Sequence, residues 1–301
     1  MANLKDIKSR INSVQNTKKI TKAMKMVAAA KVKKAENTVK AARPFSDELL
    51  HLFRKMLGTV EEFSTTGLKV ERSIDNYPVL LSKREVKTEG LLIITSNKGL
   101  AGAYNANIIK AALNRVKENT AKGIKTVIYP VGQKAVSAMK NKAGNFELRQ
   151  GYTAVANEPT ATGANIIAED ICQDFVSGNI DKIEIITTHF NNMMSYNIVN
   201  WTILPVKIEK AEVHEIDPVM EFEPNPHWVL QQIVPMYIAN SIYQALLEAN
   251  ASELASRMTA MSAASNNAEE MINTLTIDYN KARQWAITQE LVEIVSGAAA
   301  I

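Results

Sequence analysis

The chain has 301 residues, 46% of them hydrophobic and 22% charged, the balance of a folded water-soluble chain of one or two domains. No run approaches the ~20 apolar residues of a membrane span, and the charged start "MANLKDIKSRI" predicts no secretory leader. The net charge of +4 is uneven: residues 1–43 carry twelve Lys and Arg against Asp6 and Glu36, a net +10, which leaves −6 for the rest. Such a basic segment meets nucleic acid, an anionic membrane or an acidic protein partner, or is a solvated helix face. Cys172 is the sole cysteine. No internal disulfide can form, and a reducing compartment fits.

Residues 1–57 hold no Gly and one Pro, Pro44, and are rich in the helix formers Ala, Lys and Met. Leu4, Ile7, Ile11 and Val14 recur at spacings of 3 and 4, a narrow seam that is expected to continue through Ile20, Met24, Val27 and Ala28. Residues 58–89 read as a polar connection with turn signals. The middle alternates β-branched runs at 90–95, 125–131 and 182–190 with helical patterns at 106–117, 133–142 and 161–176. That alternation predicts a mostly parallel sheet covered by helices over 90–208, with a further strand at 198–208. Residues 209–226 form an acidic, Pro-bearing connection. From 227 to the end a second long helix is expected, with Met261, Ala264, Ala268, Ile272, Leu275, Tyr279, Ala282 and Ala286 on one stripe. A helix over 237–296 would run about 90 Å, which only another long helix or other subunits could support. The predicted fold is α/β: a long antiparallel coiled coil of N- and C-terminal helices with an inserted Rossmann-like α/β domain.

Catalytic chemistry is hard to find. There is no GxxxxGK[ST] or GxSxG run, and His51, His189, His214 and His227 stand apart, without metal-ligand spacing. They read as surface or packing residues, and Cys172 as a small core residue. The strand-to-helix turn "IITSNKGLAGAYNANII" has the position of a phosphate cradle, with Gly99 and Gly102. Its spacing is not GxGxxG, and the glycine-permitted turn is the reading preferred. Lys18, Lys19, Lys22 and Lys25 lack interleaved aromatics, so stacking on nucleic acid is not expected.

Both ends carry a resemblance. "ITQELVEIVSGAAA", "DIKSRINSVQNTKKITKAMKMVAAAK", "ASELASRMTAMSAASNNAEEMI" and "YNKARQWAITQEL" resemble the terminal helices of the γ subunit family of F-type ATP synthases, and "TSNKGLAGAYNAN" and "YPVLLSKREVKT" extend the likeness over nearly the whole chain. The resemblance implies a central rotor shaft that couples proton-driven rotation of the c ring to conformational change at the β-subunit catalytic sites. Residues 1–57 and 227–301 would be the shaft, and 90–208 the foot. The partners implied are the α and β subunits of the hexamer, the ε subunit and the c-subunit ring, with no nucleic acid and no membrane span. The subunit would be non-catalytic, would hold no cofactor or metal, and would lie peripherally on the cytoplasmic face of the energy-transducing membrane. By motif match, Arg283, Gln284 and Thr288 resemble residues that meet the catch loops of β, with Glu290 in the same patch. Met24 and Arg257 resemble shaft positions near acidic β loops. Met220, Phe222 and Glu223 resemble the foot surface towards ε and the c ring. Some photosynthetic relatives carry an insertion with a redox-active cysteine pair; with Cys172 alone, that regulation is expected to be absent. The alternative is a nucleotide-dependent α/β enzyme with a coiled-coil oligomerisation arm.

The composition of the chain end fits a shaft. The last charges are Glu290 and Glu293, and the tip "VSGAAAI" is small and apolar. A tip turning in an apolar sleeve is expected to lack fixed charge, because each charge would be desolvated at a cost.

Overall fold

The computed structural model describes residues 4–65, 77–142, 146–206, 223 and 226–298. The chain divides into two compact units, Lys31–Ser256 and the pair Met1–Ala30 with Arg257–Ile301.

The larger unit is built on a five-stranded sheet in the order β3-β2-β1-β4-β5, made of β1 (Thr88–Ile94), β2 (Lys125–Val131), β3 (Phe146–Leu148), β4 (Lys182–Asn192) and β5 (Ser195–Leu204). The pairs β1–β2, β1–β4 and β2–β3 are parallel. β5 returns antiparallel on β4 through a turn in which Asn192 Oδ1 accepts from Met194 N and Ser195 N. Period-two alternation assigns the faces. Leu91 and Ile93 pack under α3 (Tyr104–Ala121) and α4 (Gln133–Lys140). Leu92 and Ile94 pack in the opposite core with Ile167, Ile171 and Phe175 of α5 (Ala161–Val176). With both faces covered, β1 and β2 are almost wholly buried, as expected of parallel strands.

Two long helices close that second core: α1 (Leu4–Thr65) supplies Leu49 and Phe53, and α6 (Pro226–Ala298) supplies Leu230, Val234, Ile238 and Ile242. α1 runs on past residue 57, where the connection was expected to begin. Gly58 costs a helix only about 1 kcal/mol relative to Ala, too little to end it. The short α2 (Tyr77–Leu81) also falls inside the expected connection and buries Leu80. The sequence pattern does not predict β3, whose three residues are too few for a periodicity. The ion pair Arg43–Glu248 and the hydrogen bond Asn240–Ser46 run in opposite residue order, so α1 and α6 are antiparallel here.

In the smaller unit the helical segments of α1 and α6 meet along a narrow seam. Leu4, Ile7, Ile11 and Val14 are half-buried as expected. The seam then passes through Lys18, Thr21, Met24 and Ala28, whereas Ile20 and Val27 are 60% and 57% exposed. Steps of 4, 3, 3 and 4 from Val14 keep to a 3.6-residue period and leave Ile20 and Val27 on the outer face. Thr21 is tolerated because its hydroxyl donates to the carbonyl of Thr17, four residues back. On α6, Met261 and Ala268 are buried, and Ala264, Ile272, Leu275, Tyr279, Ala282 and Ala286 are half-buried, the predicted stripe.

Candidate functional site

Two places could carry function: the outer surface of the helices and the turn after β1. Strand order reverses at β1, so an α/β ligand would bind beyond the ends of β1 and β4. There the loop spends its polar groups on itself. Asn105 Oδ1 accepts from Ser96 N at 3.0 Å. Asn97 Oδ1 accepts from Gln133 N at 2.7 Å, closing the start of α4. Thr95 Oγ1 donates to Val131 O and accepts from Ala135 N. Leu100 and Gly102 take positive φ, 62° and 55°, so the left-handed residues are Leu100 and Gly102, not Gly99.

α6 then fills the crevice. Leu246, Ala249, Asn250 and Glu253 line a residual cavity of about 10 Å³ against Thr95, Ser96 and Tyr104. That is room for about one water, where ligand pockets need roughly 300–1,000 Å³. Ser256 Oγ donates to Ala101 O at 2.7 Å and Tyr104 Oη to Ala249 O at 3.1 Å, which fixes the helix over the turn. A wider depression of about 800 Å³ lies at the other end of the sheet, beside Lys125 and Arg149. Arg149 is already paired with Glu147 and Asp174, at 2.9 and 3.2 Å. Cys172 is half-buried, and burial pushes its thiol up to about 12. His189 bonds Glu248; His51 is half-buried.

The helix surface has the opposite character. Every described side chain from 287 to 296, and Ala298, is exposed. Ile287, Leu291, Val292, Ile294 and Val295 are 49% to 67% exposed, so beyond Ala286 the half-buried stripe gives way to exposed apolar residues interleaved with the exposed Thr288, Gln289, Glu290 and Glu293. Arg283, Gln284, Thr288 and Glu290 are exposed just below. Thr288 Oγ1 donates to Gln284 O at 2.9 Å, placing those two on one face. Arg283 and Glu290, seven residues apart, share another. Met24 and Arg257 are half-buried, and Glu223 is exposed. Met220, Phe222 and His214, and tip residues 299–301, lie outside the described residues. Reasoning from sequence leaves out Trp285, 58% exposed beside the patch, and the outward pair Ile20 and Val27. The available signal was apolar residues seven apart and off the seam.

A sequence model of the family described as ATP synthase matches residues 3–301. The ATP synthase gamma chain of Nostoc punctiforme is 42% identical, over 100% of both chains. This chain belongs to the ATP synthase gamma-chain family. The gamma chain of a Picosynechococcus species is likewise 42% identical over 100% of both chains. These two family alignments run over 327 positions, 26 more than the 301 residues present here. Among solved structures, a chain of the Tetrahymena thermophila mitochondrial ATP synthase central stalk and c ring is 26% identical, with a TM-score of 0.56 over 82% of this chain and 99% of that one. A chain of the Euglena gracilis mitochondrial ATP synthase, 17% identical with a TM-score of 0.66 over 99% of this chain and 94% of that one, shares the fold.

Proposed function

We propose that this chain is the central rotor shaft of an F-type ATP synthase and passes rotation of a c-subunit ring, driven by protons, to the catalytic sites of the β subunits. The observation that carries the reading is family membership over the full length, at 42% identity to a gamma chain. In this reading the shaft is non-catalytic. Its α/β domain resembles a nucleotide fold, but α6 occupies the crevice a nucleotide would need. No helix among the described residues is long and apolar enough to cross a membrane; in this reading the subunit is peripheral and lies on the cytoplasmic face.

A shaft without catalytic groups acts by biasing its neighbours. Each rotor angle must favour one β conformation through differential contact energy, and a near-complete switch takes about 5.5 kcal/mol. Fully burying one large apolar side chain contributes about 1.5–3 kcal/mol. Ile20, Val27, Trp285 and Ile287, each 49% to 60% exposed, leave the equivalent of about two such side chains to bury, roughly 3–6 kcal/mol, so together they supply most of that difference. Arg283, Gln284, Thr288 and Glu290 are the polar grip on β, and Met24 and Arg257 meet acidic β loops. Met220, Phe222 and Glu223 face ε and the c ring. The exposed Ile294 and Val295 beyond Glu293 belong to the bearing. Affinity purification of the tagged chain from membranes tests this: recovery of α, β, ε and c subunits is expected, and a preparation lacking α and β overturns it.

A further inference from the structure

A shaft that carries torque must be keyed to its foot. Apolar packing resists separation but is non-directional, so two smooth packed surfaces can creep under tangential load. Hydrogen bonds and ion pairs have preferred distances and angles, and they resist that shear. In the larger unit, one set of such bonds among the described residues ties three elements together at the level of Glu248. Glu248 of α6 is buried, its side chain only 8% exposed. One carboxylate oxygen accepts from Arg43 Nη2 of α1 at 3.3 Å. The other bonds the ring Nδ1 of His189 on β4. The same Arg43 Nη2 donates to the backbone carbonyl of Phe190, also on β4, at 3.2 Å. Three elements are thus joined pairwise: α1 to α6, α6 to β4 and β4 to α1. A joint closed on all three sides cannot slide along one side without breaking a bond on another.

The next residue of α6 is held from elsewhere. The carbonyl of Ala249 accepts from Tyr104 of α3, and two turns on Ser256 donates to Ala101. Ser256 is also the last residue of this unit, and α6 continues from there into the other. Phe190 and Leu247 pack with Val39 around the joint, so its bonds are partly shielded from water, where they are stronger.

We propose that Arg43, Glu248 and His189 form the torque joint of the chain, the place where rotation of the α/β domain enters both long helices together. They are positioning residues: they touch no substrate, and they act by keeping foot and shaft in fixed register. The proposal rests on the rotor reading above.

The test uses the whole complex in inverted membrane vesicles, with proton pumping and ATP hydrolysis measured on one preparation. Four chains are compared: unaltered, Glu248→Gln, His189→Gln and the surface control Lys40→Gln, whose side chain is 66% exposed. For Glu248→Gln and His189→Gln, pumping per ATP is expected to fall about twofold or more, the scale of losing one partly buried hydrogen bond, with hydrolysis and subunit composition unchanged. Lys40→Gln is expected to pump like the unaltered chain. A role in stability alone would lower the melting temperature and leave pumping per ATP unmoved, which overturns the joint. Where Glu248→Gln yields too little complex, His189→Gln decides, because the His189 side chain is 45% exposed and its replacement disturbs the core less. An unaltered chain that enters no complex with α, β and c subunits overturns the rotor reading itself, a result distinct from failure of the joint.

Discussion

Replacing Arg115 by Met should unlock Glu89, the most deeply buried charged group among the described residues of the α/β domain. Glu89 on β1 is 1% exposed. It accepts from Arg115 Nη2 at 2.9 Å and Nε at 3.1 Å, from Lys182 Nζ at 2.8 Å and from Asn119 Nδ2 at 2.5 Å. Arg115 also reaches Glu184 at 2.9 Å. Burial alone would raise the Glu89 carboxyl, but the bonds from Arg115, Lys182 and Asn119 outweigh it and hold the group below 4.5. Removing one partner of a buried pair costs roughly 3–5 kcal/mol. Lys182 stays in place, so the lower end, about 3 kcal/mol, is expected. Urea unfolding followed by circular dichroism reads it. A carboxyl with a depressed folded value contributes stability that is full above its unfolded value and is lost as pH falls through the folded one. The gap between unaltered and Arg115→Met chains should therefore be widest near neutral pH and narrow in acid below 4.5. A loss under about 1 kcal/mol at pH 7, or a gap that keeps its size in acid, would refute the reasoning.

Gly132 has φ 89°, and a Cβ there would lie 2.3 Å from the Thr95 carbonyl oxygen. Gly132→Ala should cost about 2 kcal/mol or more, seen as a lower urea midpoint; an unchanged midpoint contradicts the strain. Met24→Lys puts a charge on a half-buried seam position and should impair coupling more than assembly; unchanged proton pumping per ATP in purified complex would contradict it. Lys at both Val292 and Val295, 58% and 66% exposed, should slow rotation while leaving the foot intact. An unaltered rotation rate would end the bearing account.

Local periodicity made the helices legible. Leu4 to Val14 and Met261 to Ala286 lie where a 3.6-residue repeat puts them. The same reasoning fails at Ile20 and Val27, because it follows apolar character where it should follow period; Thr21, a polar residue, holds the seam. The strands of the α/β domain were legible from β-branched runs, and the mostly parallel sheet from their alternation with helices. β3 was not, since its three residues take their strand character from pairing with β2. The fate of the turn after β1 was also out of reach. Its glycines and position fit a cradle, and what fills it comes from Leu246 and Glu253, about 150 residues further along the chain. The joint at Glu248 is illegible for the same reason: Arg43, His189 and Glu248 meet only through the tertiary fold. At the contact patch, the polar members come from motif likeness, and Trp285 is passed over although it stands off the stripe of Ala282 and Ala286.

Rotation itself is the central claim. Met194 is 87% exposed in the turn between β4 and β5, and the Cys172 thiol is pushed up to about 12 by burial. A dye should thus label Met194→Cys selectively at neutral pH. With the α and β subunits of the purified complex fixed to a surface, the dye is expected to turn in one direction while ATP is hydrolysed and to stop when ATP is exhausted. A dye that stays still during hydrolysis by the same molecules would contradict the account.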